Sequence, residues 1–187
     1  MFAKRSLFVL SLSAVLAACG GGGGGDDQSS APSGPLAKYI GSYSYCDQDH
    51  TKYSVSLTDA GNEKLNALFS EVTYQNSNCS GTILGDYKWN SPGTVSLIST
   101  GISTVSVQGL PSSLSIDKVS MTVNTQATLT GLGVSGNCVT YPNGEICYDL
   151  TVQGQSSDAA LYISGNTLYE LYLDNGVYYE EGTYSRN

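Results

Sequence analysis

From Leu36 onward, apolar and polar residues alternate with period two, and that alternation commits the chain to β-strands with one dry and one wetter face. Tyr53, Val55 and Leu57 alternate with Ser54, Ser56 and Thr58, and Val119, Met121 and Val123 with Ser120, Thr122 and Asn124. Ile146, Tyr148, Leu150 and Val152 alternate with Cys147, Asp149, Thr151 and Gln153. Tyr169, Leu171 and Leu173 predict a further dry face, continued after a turn by Val177 and Tyr179. Between these runs lie Asn143-Gly144, Gly165-Asn166 and Asn175-Gly176, pairs that accept positive φ at low cost. Asp59-Ala60-Gly61-Asn62 reads as a longer hairpin loop. Residues 62–75 fit a helix through Leu65, Leu68 and Val72, and a strand through Leu65, Ala67 and Phe69. The following Thr73-Tyr74 and the hairpin turns on either side favour the strand. Thr94 to Ile116 is uncharged and rich in Ser, Thr and Val, and predicts strands without sharp boundaries. About eight to ten strands in roughly 150 residues predict an all-β domain, an antiparallel up-and-down barrel with a sandwich as the alternative. That domain spans residues 36–187.

Composition agrees. Only 13% of the 187 residues are charged and 22 are glycine, a poor mixture for a helical bundle. The 16 acids outnumber 8 bases, which leaves no basic surface for nucleic acid.

The N-terminus carries a different signal. Lys4 and Arg5 precede Leu7 to Leu16, an apolar run half the length of the about 20 residues a membrane-spanning helix needs. It ends at Leu16-Ala17-Ala18-Cys19, which resembles the lipobox of bacterial lipoproteins. The resemblance implies that residues 1–18 are a signal peptide removed before Cys19. The Cys19 thiol and the new amino group are then acylated, and two or three chains give stable membrane anchoring. Gly20 stands where an aspartate would favour inner-membrane retention, so the outer membrane is the expected location, facing the periplasm or the cell surface. Losing Lys4 and Arg5 leaves six bases against 16 acids, a net charge of −10, which repels the domain from an anionic lipid surface. Residues 19–35, beginning with the glycines Gly20 to Gly25, predict a flexible tether with a reach of roughly 20–25 Å.

With Cys19 reserved for lipid, Cys46, Cys79, Cys138 and Cys147 remain, and four cysteines allow three pairings. A loop at Tyr141-Pro142-Asn143-Gly144 pairs Thr140 with Glu145 and sets Cys138 opposite Cys147, close enough for a disulfide. Cys46–Cys79 is then the second bond, expected in an oxidising compartment.

Motifs for chemistry are sparse. Gly131-Leu132-Gly133-Val134-Ser135-Gly136 matches the dinucleotide fingerprint in letters, but a hairpin follows where the chemistry needs a helix. Asp47, Asp49 and His50 resemble the start of a calcium loop, yet Lys52 and Thr58 occupy the positions that need glycine and glutamate. His50 is the single histidine, and no nucleophile elbow accompanies it. Glu180 and Glu181, as neighbours on a strand, point to opposite faces and form no carboxylate pair by themselves; parity puts Glu181 on the face of Val177 and Tyr179, and its place near the strand end puts it at a rim. The chain therefore predicts no enzyme, no catalytic residue, no metal and no cofactor.

Tyrosine is abundant, 14 residues, and eight of them fall at or after Tyr141. Tyr39-Ile40-Gly41-Ser42-Tyr43 resembles the aromatic-x-Gly-x-Trp start of lipocalins, with Tyr43 in place of Trp. Arg186 lies after the last strand, where that family sets a basic residue over its first-strand ring. The family's Thr-Asp-Tyr motif and its final helix are missing. The resemblance implies a small barrel holding an apolar or amphipathic ligand, with Tyr43, Tyr53, Tyr74 and Tyr148 as candidate lining residues. The alternative is a structural or interaction module that contacts another envelope component through its surface. A monomer is expected in either case.

Overall fold

The computed structural model describes residues 34–187. The leader, Cys19 and all but the end of the tether lie outside the described residues. The domain is all-β. A short 3-10 helix, Ala37–Tyr39, leads into β1 (Gly41–Cys46), β2 (Thr51–Gly61), β3 (Lys64–Asn76), β4 (Ser80–Trp89), β5 (Gly93–Ser106) and β6 (Ser113–Thr122). Four short strands follow: β7 (Ala127–Thr130), β8 (Val134–Ser135), β9 (Cys138–Tyr141) and β10 (Gly144–Cys147). The chain ends with β11 (Ser156–Ser164), β12 (Thr167–Asp174) and β13 (Val177–Arg186). The segment that fitted both helix and strand is β3.

Ten strands form one sheet, and β8, β9 and β10 form a second. Pairing in the large sheet runs β1–β2–β3–β5–β6–β11–β12–β13, and β13 also pairs with β1, every step antiparallel. β3 serves two neighbours: Lys64–Ala67 pairs with β5, while Ser70–Asn76 pairs with β4. A short parallel contact, Tyr178 with Val105 and Tyr179 with Ser106, joins β13 to the end of β5.

The alternation on β2 is as read: Thr51, Tyr53, Val55 and Leu57 are buried and the residues between them half-buried. The β2–β3 turn is tighter than the sequence suggested. Asn62 and Glu63 both adopt positive φ, 53° and 57°, in a two-residue turn matched to strand twist. The run from Ile146 to Val152 is strand only as far as Cys147. Beyond it, Asp149 accepts hydrogen bonds from the Thr151 amide (2.8 Å) and hydroxyl (2.6 Å), and this local turn replaces the ladder. Tyr148 and Val152 are buried all the same. On β13 the buried residue after the turn is Tyr178, not Val177 or Tyr179, and Leu173 is 57% exposed.

Two cores lie on opposite faces of shared strands. The larger gathers Tyr43, Val55, Leu65, Val119, Leu161 and Leu168. The smaller gathers Val105, Leu114, Ile116, Ala160, Leu171 and Tyr178. Ala160 and Leu161 are successive residues and both buried, and so are Ile116 and Asp117. Successive strand residues point to opposite faces, so both faces of the sheet are dry at these points. Asp117 is fully buried on the larger core's side, where a carboxylate needs partners. It has Tyr39 Oη at 2.7 Å, Thr100 Oγ1 at 2.5 Å and Lys38 Nζ at 2.5 Å. The 3-10 helix is thereby fastened to β5 and β6.

The segment around β7 to β10 packs over β4. A Cβ on Gly131 (φ +147°) would lie 2.3 Å from the Leu84 carbonyl oxygen, and Gly133 donates its amide to that same oxygen at 2.8 Å. The glycine-rich hexapeptide is therefore a site of close backbone approach and not a phosphate loop. Val139, fully buried, presses against Gly85 of β4. Cys138 is bonded to Cys147 across this hairpin, and Cys46 to Cys79, tying β1 to the β3–β4 turn. Replacing Gly131 with alanine should lower the free energy of unfolding by about 2 kcal/mol, measured by urea titration with the disulfides intact.

Candidate functional site

The end of the sheet nearest the β1–β2 loop carries an unusual row of side chains. Tyr45 on β1 is opposite Tyr53 on β2, Tyr53 opposite Glu71 on β3, and Glu71 opposite Tyr87 on β4. Tyr184 on β13 extends the row beyond β1, since its neighbour Ser185 is opposite Ser44. The rings are in contact. Tyr45 stacks on Tyr53 with centroids 4.8 Å apart, and Tyr184 meets Tyr45 edge-on at 4.8 Å. Tyr148, from the turn after β10, stacks on Tyr87 at 4.7 Å and sets its hydroxyl 3.4 Å from Thr73 Oγ1. One carboxyl is thus enclosed by tyrosines.

Burial pushes the Glu71 carboxyl up to about 8, against a pull in the other direction from the Tyr148 hydroxyl; the charge of Asp47 adds to the rise. Glu71 is accordingly protonated in large part at neutral pH. Tyr53, Tyr148 and Tyr184 are pushed up from the usual phenol range, first by burial and then by the neighbouring acids. These tyrosines stay neutral. The Tyr184 hydroxyl is fully buried and has no hydrogen-bond partner, an unmet donor in this cluster.

Beside Tyr45 the row opens into a cleft of about 340 Å³ lined by Tyr45, Asp47, Glu180, Glu181, Gly182 and Thr183. Parity had separated Glu180 from Glu181. A β-bulge resolves the difference: Glu170 is opposite Gly182 and Leu171 opposite Glu180, so Glu181 is left over and the alternation breaks there. Both glutamates line the same cleft. Glu180 accepts a hydrogen bond from the Thr183 hydroxyl. Asp47 Oδ1 accepts from the amides of Asp49 (2.8 Å) and Thr51 (3.2 Å), so that the loop after β1 is pinned beside the cleft.

Of the candidate lining residues, Tyr43, Tyr53 and Tyr148 are buried in one core. Tyr43 donates its hydroxyl to the Tyr39 carbonyl at 2.7 Å. Tyr74 is half-buried, one residue past the fully buried Thr73, and falls outside that core. Sequence reading passed over Glu71, Tyr45, Tyr87 and Tyr184, although Phe69 and Glu71 share a strand face by simple period-two counting. His50 is buried and its Nε2 sits 3.2 Å from the side-chain nitrogen Nδ2 of Asn143, so it links the β1–β2 loop to the β9–β10 turn. Among the described residues, the metal-type cluster is Cys138, Glu145 and Cys147, and its two sulfurs are bonded to each other.

The residues of the family-like corner are in contact. Arg186, the last residue of β13 and not a residue beyond it, stands opposite Tyr43 with its guanidinium 5.7 Å from the ring centre. It also donates to the Ile40 carbonyl. Compared with known proteins, the chain matches no family model, no curated protein and no solved structure.

Glu71 also supplies a pH dependence. Its carboxyl is protonated in both folded and unfolded chains below 4.5, and as pH climbs from there to about 8 only the unfolded chain ionises. The stability that Glu71 contributes is therefore complete at low pH and lost progressively up to about 8. In denaturant titrations across that window, wild type should lose a few kcal/mol relative to Glu71→Gln. Parallel pH curves for the two proteins would contradict the enclosure of this carboxyl.

Proposed function

We propose that the chain is a bacterial outer-membrane lipoprotein, acylated at Cys19, whose tethered β domain is a non-enzymatic binding module acting through the cleft beside Tyr45. The lipobox residues Leu16-Ala17-Ala18-Cys19 and the glycine tether support the anchor. The domain's form is best read as an up-and-down barrel, because successive pairings from β1 lead through β2, β3, β5, β6, β11 and β12 to β13 and then back to β1. Gly41 at the start of β1 and the Arg186–Tyr43 contact support the lipocalin resemblance.

Filling of the interior favours contact at the rim over storage of an apolar ligand inside. Tyr43, Leu57, Leu65, Leu168 and Tyr184 are each at most 1% exposed and occupy the inner face. Small barrels packed in this way have side chains where a ligand would sit. The single observation that carries the proposal is the open cleft at the end of the tyrosine row, within the size range of ligand sites.

Two measurements test this reading. Cys19→Ser should abolish incorporation of labelled palmitate and release the protein from the membrane fraction; unchanged membrane partition would remove the anchor. For the module, a photo-crosslinking amino acid at Glu181 in intact cells should capture one recurring partner or adduct. The same probe at Ala60, exposed in the β2–β3 hairpin at the opposite end of the strands, should capture none. Equal capture from both positions would refute a rim site.

A further inference from the structure

The point at which the tether enters the domain fixes which end of the strands lies nearest the anchor. Gly34 rests against the β2–β3 turn, where a Cβ added to it would sit 3.2 Å from Cγ of Glu63. Its carbonyl accepts the Ala37 amide at 3.1 Å, and Leu36, two residues on, is 1% exposed, so the entry is fastened to the domain. From the β1–β2 loop to that turn, β2 runs through 11 residues, about 36 Å of extended chain. The cleft beside Tyr45 and Asp47 lies at the loop end, the end of β2 remote from the entry.

The length of the tether decides whether this placement matters. The glycine-rich sequence between Cys19 and the domain has an expected span of roughly 20–25 Å, and the fifteen steps from Cys19 to Gly34 reach at most about 50 Å. Turning the loop end toward the bilayer would lift Gly34 by the length of β2, about 36 Å. That exceeds the expected span and takes up most of the contour length, so chain entropy opposes it.

Charge acts in the same direction and is independent of the tether. The loop end carries Asp47 and Asp49, with Glu180 and Glu181 across the cleft from Asp47. At the entry end, Lys38, Lys64 and Arg186 accompany Asp59 and Glu63, and Lys38 is paired with the buried Asp117 at 2.5 Å. An anionic bilayer repels the first group within about 10 Å of its surface and is close to indifferent to the second.

Resting on the lipoprotein reading above, we infer that the 3-10 helix and the β2–β3 turn form the face apposed to the lipid surface that holds Cys19, while the acidic rim points away from it. The mature net charge of −10 keeps the domain standing off the lipid, but with this end nearest. The component that meets the rim therefore comes from outside the anchoring bilayer.

Energy transfer to a labelled lipid tests this on the full acylated protein. A donor dye on a single non-natural residue is placed at Ala60, exposed at the turn end of β2, or at Gln48, exposed in the β1–β2 loop. The protein is inserted through its acyl chains into vesicles of phosphatidylcholine with one quarter phosphatidylglycerol, carrying a headgroup-labelled acceptor lipid. Transfer from Ala60 should exceed transfer from Gln48 by about threefold or more, given a difference in height of about 36 Å. The excess should persist in phosphatidylcholine alone, where the tether acts by itself. Equal transfer from the two positions, or greater transfer from Gln48, would overturn the inference. If mass spectrometry of the purified protein shows no acyl chains on Cys19, the anchor reading falls and the orientation with it; if the acylated protein gives equal transfer, the orientation alone is wrong.

Discussion

The structure depends on β1 having a strand on each side. It is six residues long and pairs with β2 along its whole length and with β13 at its middle, through Tyr43 and Ser44. A strand with one neighbour would leave a row of amides and carbonyls facing water and would end the sheet. With both neighbours, the first strand of the domain meets the last. Arg186 reaches the Tyr43 ring, Tyr43 reaches the 3-10 helix, and Tyr39 of that helix reaches Asp117 on β6. Arg186 is exposed, but the Tyr43 and Tyr39 hydroxyls and the Asp117 carboxylate that follow it are buried, and each step satisfies one of them at close range, which is the condition for burying them at all.

The same seam creates the site. Tyr184 and Tyr45 are about as far apart in the chain as the domain permits, and they touch only because β13 lies beside β1. From Tyr45 the register continues the row through Tyr53 and Glu71 to Tyr87, and Tyr148 folds over the far end. One half of the row is thus roofed and dry, which accounts for the raised carboxyl of Glu71. The other half opens to water between two short acidic segments. A tyrosine-rich composition serves both halves, because a phenol packs as a hydrophobe and still offers a polar end.

Much of the fold was legible in the sequence, for reasons that are local. Period-two alternation identifies β2 and the second half of β6, and Asn175-Gly176 marks the β12–β13 turn because such residues tolerate positive φ. The Thr140–Glu145 pairing on the β9–β10 hairpin follows from loop length, and the structure has it. What escaped is whatever breaks alternation. The bulge at Glu181 breaks the alternation of β13, the bulge between Leu97 and Ser99 breaks that of β5, and the Asp149 turn stops a strand that the pattern would extend. Each depends on a single hydrogen-bonding choice that composition does not announce. The tyrosine row escaped for a different reason: it is a product of register between strands distant in sequence, and no window along the chain contains it.

The most direct test is a nuclear Overhauser measurement on the isotope-labelled chain. The account predicts cross-peaks between the rings of Tyr45 and Tyr184 and between the backbones of Ser44 and Ser185, together with those joining Tyr45 to Tyr53. Contacts from β1 to β2 alone, with the alternate β1 amides exchanging rapidly with solvent, would show an open edge and contradict both the seam and the site built on it.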